Sequence, residues 1–150
     1  MLRLTRRTEY GLMALALLAQ KGGPAGGFCC VREIVDQLSV PRRLLAEILK
    51  DLSHAGLVCA ARGPSGGYRL CRPASQLSLA EVVAVLEGPH LFADCTGGGR
   101  CGLEHGCTIR NGIRGVAARI QRLLADVSVQ DIAGARPAPA PQRLELELQR

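Results

Sequence analysis

Two short amphipathic segments joined by a tight turn constrain the fold of this chain more than any other feature. The first segment repeats apolar residues at i, i+3, i+4 and i+7, the spacing of one helix face. These residues are Val31, Ile34, Val35 and Leu38. In the second segment, Pro41 stands at the first helical position, and Arg42, Arg43 and Glu47 lie opposite a face of leucine and isoleucine. The pattern predicts a helix-turn-helix whose second helix, led by paired arginines, is a recognition helix.

The segment that follows, AGLVCAARGPSGGYRLCRP, predicts a β-hairpin, because two short strands flank a turn rich in glycine and proline. A hairpin directly after a helix-turn-helix is a wing. Arg62 stands at its tip, where a guanidinium can enter a minor groove. Gly63 beside it permits close approach of the backbone to DNA. The alternative is that these arginines form an ordinary solvated surface.

Composition narrows the choice of partner. The formal net charge of +6 favours a polyanion, although a basic surface alone does not distinguish nucleic acid from an acidic membrane. Two Tyr, two Phe and no Trp supply few platforms for stacked bases, which argues against single-stranded nucleic acid. The apolar stretch 11–19 is too short to span a membrane. No nucleophilic triad, phosphate loop or paired acid motif is present, so we expect no enzyme.

Helices flank the wing and helix-turn-helix on both sides. Thr5 is a candidate N-cap for a largely buried helix that runs to about Gln20. Ser78 and Glu81 form a capping box that opens a helix over 79–86. We therefore predict a mainly α fold with a small β-hairpin wing, in which a winged helix-turn-helix precedes a long dimerisation helix.

Apolar residues near the C-terminus follow a heptad pattern, with alternating intervals of four and three. They are Ile109, Ile113, Val116, Ile120, Leu123 and Val127. Such a seam most simply pairs with its copy in a second subunit, which predicts a homodimer. The alternative is packing on the first helix of the same chain, and both arrangements can hold along different parts of the seam.

Three evenly spaced cysteines precede this seam in CTGGGRCGLEHGC: Cys95, Cys101 and Cys107. Their five-residue spacers are too long for a zinc knuckle, and thiolates in a glycine-rich loop suit an iron–sulfur cluster. A fourth ligand must then come from elsewhere. The alternatives are inert thiols and a zinc site completed by His105. We expect the remaining cysteines to be inert core residues, and disulfides to be absent, because the number of cysteines is odd and nothing indicates secretion. These four are Cys29, Cys30, Cys59 and Cys71.

Several segments together resemble a known family. They are LTRRTEYGLMALALLA, PRRLLAEILKDLSHAGLV, ARGPSGGYRL, SLAEVVAVLEGP and the cysteine loop. They are similar, over roughly residues 2–133, to bacterial winged-helix regulators related to the iron–sulfur assembly regulator (IscR) and the nitric-oxide-sensing repressor (NsrR). The resemblance implies a cytoplasmic homodimer that binds a palindromic element in double-stranded DNA. It also implies that DNA affinity changes when an iron–sulfur cluster is gained, lost, oxidised or nitrosylated.

The resemblance also assigns roles to individual residues. The three loop cysteines match the family's cluster ligands, and four further residues match its DNA contacts: Arg42, Arg43, Glu47 and Arg62. Where the assembly regulator has a histidine ligand, this chain has Arg110. In the nitric-oxide sensor an acidic residue of the opposite subunit completes a four-iron cluster, and the matching residue here is Glu9. A four-iron cluster with Glu9 is therefore favoured over a two-iron cluster, with His105 as the competing ligand.

These assignments divide the chain into four parts. We predict a DNA-binding domain over 1–88, a cluster loop over 89–108, a dimerisation helix over 109–133 and a proline-rich tail over 134–150. The function predicted is that of a transcriptional repressor that senses nitric oxide, redox or iron–sulfur status. The alternatives are a regulator of the same fold that senses a metabolite or zinc without a cluster, and a small iron–sulfur carrier.

Overall fold

The helices and strands follow one another in the order that the sequence predicts. The computed structural model describes residues 3–88, 93–96, 101, 102 and 106–134. The helices are α1 (Arg6–Gln20), α2 (Val31–Leu38), α3 (Arg42–His54), α4 (Leu79–Glu87), α5 (Arg110–Asp126) and α6 (Val129–Ala133), and the strands are β1 (Val58–Ala61) and β2 (Gly67–Leu70). This architecture confirms a mainly α fold with a β-hairpin wing. Among the described residues, no helix is both long enough and apolar enough to cross a bilayer.

The hydrophobic core lies where α1, α3 and α4 meet. Helix α3 contributes four side chains that are 0% exposed: Leu45, Ile48, Leu49 and Leu52. Helix α1 contributes Ala14, Leu15 and Leu18, which confirms that it is largely buried. Full burial of each leucine or isoleucine stabilises the fold by about 1.5 to 3 kcal/mol. The orientation of α3 is therefore set by its buried side, and its polar side faces solvent.

Local signals at the helix starts act largely as predicted. The Thr5 side chain accepts a hydrogen bond from the Thr8 amide, and Ser78 and Glu81 form the complete capping box. Pro41 lies one residue earlier than expected: it is the N-cap of α3, with φ −60° and ψ 122°, and Arg42 is the first helical residue. Among the described non-glycine residues, Ser39 is the one with a positive φ, and it ends α2. The extended ψ of Pro41 then lets α3 begin two residues after Val40.

The predicted dimerisation helix over 109–133 consists of two helices. Helix α5 ends at Asp126, Val127 is extended, and a second capping box between Ser128 and Asp131 starts α6. The break is fixed by pairing with the chain before α4, because the Leu79 amide donates to the Val127 carbonyl at 2.8 Å and the Val129 amide donates to Leu77 at 2.8 Å. Helix α6 then packs on α1.

The carboxylate of Glu87 joins the end of α4 to the start of α1. Its Oε1 atom accepts hydrogen bonds from the Thr5 amide at 2.7 Å, the Thr5 hydroxyl at 2.9 Å and the Thr8 hydroxyl at 2.6 Å. Thr8 is 0% exposed. Partial burial opposes ionisation of the carboxyl, but these three donors outweigh it and hold the pKa of Glu87 below its usual value. This cluster anchors the residue next to the predicted cysteine loop.

Stability should therefore depend on pH through Glu87. A folded-state pKa below the unfolded one means that the carboxylate stabilises the fold above the ordinary glutamate pKa, and that this contribution is lost as pH falls through the lowered value. The free energy of unfolding, from urea titrations between neutral pH and about pH 2, should fall less steeply for Glu87→Gln than for the wild type. Thr8→Val, which removes one donor, should be intermediate. Equal slopes for all three proteins would contradict this assignment.

Candidate nucleic-acid interface and cysteine loop

The N-terminal turn of α3 presents its basic side chains to solvent. Arg42, Arg43 and Glu47 are all exposed, and the Arg43 side chain is 95% accessible. Glu47 lies one turn after Arg43, with 3.7 Å between Arg43 Nε and Glu47 Oε1. An exposed pair of this kind holds its partners weakly, so both remain available to another molecule. The structure thus brings these three predicted residues together at one end of the helix.

The opposite end of α3 is tied to α1. Arg7 of α1 donates a hydrogen bond to Asp51 near the end of α3, and the two form an ion pair with both side chains partly accessible. Sequence reasoning missed this contact, since 44 residues separate the partners. Together with the buried face of α3, the Arg7–Asp51 pair restricts how α3 can move relative to α1.

The wing is an antiparallel pair in which Val58 lies opposite Leu70 and Ala61 opposite Gly67. Its turn places Arg62 and Gly63 at the exposed tip. Gly63 has φ +103°, a conformation that side chains disfavour, and its carbonyl accepts a hydrogen bond from Gly66 at 3.0 Å. The predicted tip residues therefore occupy a tight, protruding turn.

A third stretch of extended chain supports the wing. The amides of Cys29 and Tyr68 each donate to the other's carbonyl, at 2.9 and 2.8 Å, so residue 29 pairs with β2 on the side away from β1. The guanidinium of Arg69 lies 4.6 Å from the centre of the Phe28 ring. A side chain at Gly67 would collide with the Cys29 backbone, so this close approach requires glycine. Sequence reasoning missed this third stretch. The signal that could have indicated it is the isolated apolar pair of residues 28 and 29, ahead of α2.

The wing and the start of α2 enclose a concave surface with a volume of about 470 Å³. Its lining includes Cys30 and Val31 from the start of α2, and Arg62, Gly63 and Tyr68 from the wing. Cys30 is the N-cap of α2 and is exposed. The expectation that Cys30 is an inert core residue is therefore wrong.

Two further cysteines differ from expectation. Cys59 of β1 and Cys71, just after β2, form a disulfide, with their Cα atoms 5.2 Å apart. Sequence reasoning did not predict this bond because their proximity depends on the hairpin register. Cys29 is buried as expected, at 2% exposure, and burial together with a hydrogen bond to Glu33 raises the pKa of its thiol to about 11.

The three loop cysteines are half-buried and form no disulfide in the described chain. Their chemistry fits an iron–sulfur cluster, which takes free thiolates, and a carbonyl of this loop is anchored to α5: Arg114 Nε donates to the Cys95 oxygen at 3.4 Å. Within the described ranges, no three side chains of His, Cys, Asp or Glu converge into a preformed metal site. His105 lies outside the described residues.

Glu9 lies in the first turns of α1, away from the core. Its side chain is 37% accessible, and Arg6 Nη1 donates to its Oε2 atom at 2.7 Å. Met13, one turn later, is 42% exposed. The carboxylate is thus on the surface and held by a surface ion pair, which contributes about 0 to 1 kcal/mol and is readily exchanged.

The heptad seam divides into two rows along α5 and its two cap residues. One row, which points away from the chain, contains large apolar residues that remain accessible: Ile109 (65%), Val116 (42%) and Leu123 (65%). The other row, Ile113, Ile120 and Val127, is half-buried. The sequence alternative was that the seam packs on the first helix of the same chain. In the structure, α5 packs on α4. The exposed row repeats every seven residues and remains available to another helix.

Comparison with known proteins agrees with this architecture. The Rrf2 model, described as an iron-dependent transcriptional regulator, matches residues 4–135. Protein aau3 of Rhizobium meliloti is 33% identical over 138 residues, which cover 91% of this chain and 88% of that protein.

Two solved structures show the same fold. CymR, the global cysteine regulator of B. subtilis, is 25% identical with a TM-score of 0.72, covering 91% of this chain and 100% of the other. IscR of T. potens is 23% identical with a TM-score of 0.66, covering 87% and 85%. The family match spans the helix-turn-helix, the wing and α5 alike. The chain therefore belongs to the Rrf2 family of DNA-binding transcriptional regulators, and it is not an enzyme.

Proposed function

We propose that this chain is a homodimeric repressor that binds a palindromic operator, and that an iron–sulfur cluster on its cysteine loop controls its affinity for DNA. The observation that carries the proposal is the set of three free, half-buried thiols at Cys95, Cys101 and Cys107, immediately before α5 in a regulator of this family. The signal would be nitric oxide, oxidation or the supply of iron–sulfur clusters.

The DNA contacts come from two exposed basic elements. Arg42 and Arg43 enter the major groove, where guanidinium groups donate paired hydrogen bonds to guanine, and Glu47 is placed to accept from a cytosine amine. Arg62 enters the adjacent minor groove, and Gly63 keeps the wing tip free of a side chain that would hold the backbone away from DNA. The exposure of all five residues in the structure supports this arrangement.

Three thiolates and one oxygen ligand would hold the cluster. When bound, it supplies a labile iron centre that reacts with nitric oxide and oxidants. The three thiolates are those of the loop cysteines, and the oxygen ligand is Glu9 of the partner subunit. The Glu9 carboxylate is accessible in the isolated chain. A carboxylate is a weak ligand for this soft centre and leaves readily, which suits a sensor. Of the two cluster types, the proposal favours a four-iron over a two-iron cluster.

Helix α1 is the element through which ligation by Glu9 would reach the DNA surface. Within its first turns, Arg7 binds Asp51 of the recognition helix, and Thr8 binds Glu87 at the end of α4. Release of Glu9 frees α1 from the partner subunit and changes the relative orientation of the two recognition helices. The operator half-sites then no longer match both subunits, and affinity falls.

A second candidate is a regulator without a cluster. The observation that favours it is the structural likeness to CymR of B. subtilis, a global cysteine regulator. In this case the loop thiols would be free to react or to bind zinc with His105. Membership of a family of transcriptional regulators argues against a small iron–sulfur carrier.

Replacement of Arg42, Arg43 or Arg62 by alanine should weaken operator binding by about 1 to 3 kcal/mol each, because each change removes a charged contact to DNA. Gel-shift titrations at fixed salt measure the loss. The control is Arg32→Ala: Arg32 is also exposed, lies on α2 and is paired with Asp36. Unchanged affinity for the three variants would exclude this DNA-binding surface.

Leu123→Asp should convert the dimer into a folded monomer, because a carboxylate within an apolar helix interface is desolvated without a partner. Leu123 is 65% exposed in the single chain, so its replacement spares the core, whereas Ile120 is half-buried. Gln121→Asp, on an exposed position of the same helix, is the matched control. Analytical ultracentrifugation distinguishes the outcomes, and a dimer of Leu123→Asp would place the interface elsewhere.

Anaerobically purified protein should show the visible absorption of an iron–sulfur cluster. Alanine at Cys95, Cys101 or Cys107 should remove that absorption, since two protein sulfurs do not hold a stable cluster. Glu9→Ala should retain a cluster with an altered spectrum and faster decay in air, and His105→Ala should change little. Cys30→Ala, which removes an exposed thiol outside the loop, is the control.

A colourless wild-type protein would favour the regulator without a cluster. If His105→Ala loses the cluster and Glu9→Ala does not change it, the fourth ligand lies within the loop, and the model with a ligand from the partner subunit is wrong.

A further inference from the structure

The disulfide between Cys59 and Cys71 closes the base of the wing. The two residues are 12 apart in sequence, and the segment between them contains the whole turn, including Arg62 and Gly63. The strands are only four residues long, and a hairpin of this size is marginally stable by itself. The covalent bond therefore restricts the element that carries the tip arginine.

Both cysteines of the bond are partly accessible to solvent. Val58 and Leu70 are buried, at 1% and 0% exposure, and side chains alternate along a strand. Cys59 and Cys71 consequently lie away from the core and are half-buried. Structural disulfides are usually protected from exchange by complete burial, which does not hold for this pair.

The residue opposite Cys59 in the sheet is cationic. Arg69 lies opposite Cys59 in the strand register, and Arg72 follows Cys71 in sequence. Arg69 is held over the Phe28 ring, and Arg72 is held by Glu81 at 2.7 Å. Cationic neighbours stabilise the thiolates that reduction releases, and they are typical of cysteines that exchange rather than of inert ones.

The other cysteines do not compete for this bond. Cys29 is buried, and the raised pKa of its thiol, about 11, keeps it protonated at neutral pH. Cys30 is the N-cap of α2 and is a free thiol. The turn that contains Cys95 packs on α5, whereas the wing packs on α1 and α3. The wing pair and the turn of Cys95 thus pack on different helices.

We propose that Cys59 and Cys71 form a second redox site, which exchanges with cellular thiols and sets the affinity of the wing for DNA. In reduction, a thiolate of a dithiol attacks one sulfur to form a mixed disulfide and releases the other cysteine as a thiolate, which takes up a proton. The second thiol of the reductant then displaces the remaining cysteine. The balance is one disulfide reduced to two thiols and one dithiol oxidised to a disulfide, and a small disulfide drives the reverse reaction.

The consequence for DNA rests on the proposed placement of Arg62 in the minor groove and is independent of the cluster. In the oxidised state, the wing is already ordered, so less conformational entropy is lost when DNA binds. In the reduced state, the hairpin samples more conformations, and only part of this ensemble is competent to bind. Oxidation should therefore strengthen binding, and reduction should weaken it.

The first experiment measures exchange in the full-length, folded protein. Wild-type protein is equilibrated in buffers of defined ratio of reduced to oxidised dithiothreitol, quenched by alkylation and analysed by peptide mass spectrometry. Cys59 and Cys71 should become alkylated together over one reversible transition, while circular dichroism stays that of the folded protein. Absence of the bond in oxidising buffer would overturn the proposal. So would a bond that yields only after unfolding, since that result identifies a structural crosslink.

The second experiment measures affinity for a duplex that the wild-type protein has selected from a randomised DNA library. The wild type should bind this duplex about tenfold more tightly in oxidising than in reducing buffer. The double variant Cys59→Ser/Cys71→Ser should lose this component, whereas Cys30→Ser should keep it. Because any cluster is common to these proteins, the difference between them reports the wing alone. Equal redox dependence in wild type and double variant would overturn the proposal.

Arg62→Ala separates this inference from the proposed DNA contact. If Arg62→Ala binds the selected duplex as tightly as the wild type, the DNA role of the wing is wrong, and the alkylation experiment still decides whether the pair exchanges. If Arg62→Ala binds weakly but the affinity of the wild type does not respond to the wing disulfide, the contact stands and the redox control is wrong.

Discussion

Burial of the apolar face of α3 is the constraint on which the rest of the structure depends. Four side chains of this face are wholly removed from solvent: Leu45, Ile48, Leu49 and Leu52. Any rotation of α3 about its axis would expose some of them. Because a helix has fixed angular relations between its residues, the same packing decides where Arg42 and Arg43 lie. The basic end of the helix is exposed as a consequence of its core side.

Helix α1 links this DNA-facing element to the parts of the chain that would sense and dimerise. Its buried side packs in the core, Arg7 binds Asp51 of α3, and Thr8 binds Glu87 at the end of α4. Its outer side carries Glu9 and Met13. A change at the outer side of one packed helix can therefore be transmitted to α3 as a rigid displacement, since close-packed side chains have little room to absorb it.

The wing combines two kinds of restraint. Val58 and Leu70 pack it on the core, and the extended segment at Cys29 adds hydrogen bonds along the other edge of β2. The disulfide acts at the base, and the tip beyond it is open to solvent. The mobility of the tip is thus set by the crosslink and the edge pairing together, whereas the position of the whole hairpin is set by the core.

Sequence alone determined the features that depend on near neighbours. The apolar spacing in α2 and α3, the caps at Thr5 and Ser78 and the glycine-rich turn at Gly63 each operate within a few residues, so pattern and propensity were sufficient. Local pattern also produced the resemblance that the family match confirmed.

Tertiary structure decided what depends on residues distant in sequence. The Cys59–Cys71 bond needs the hairpin register, the Arg7–Asp51 pair needs α1 beside α3, and the break after α5 needs the strand-like pairing of Leu77 and Leu79 with residues 127 and 129. Only packing on α4 could separate the seam into a half-buried row and an exposed row containing Ile109, Val116 and Leu123. A heptad pattern predicts that one face of a helix is apolar. The assembled fold decides which neighbour covers that face, because the neighbour comes from a part of the chain that is distant in sequence.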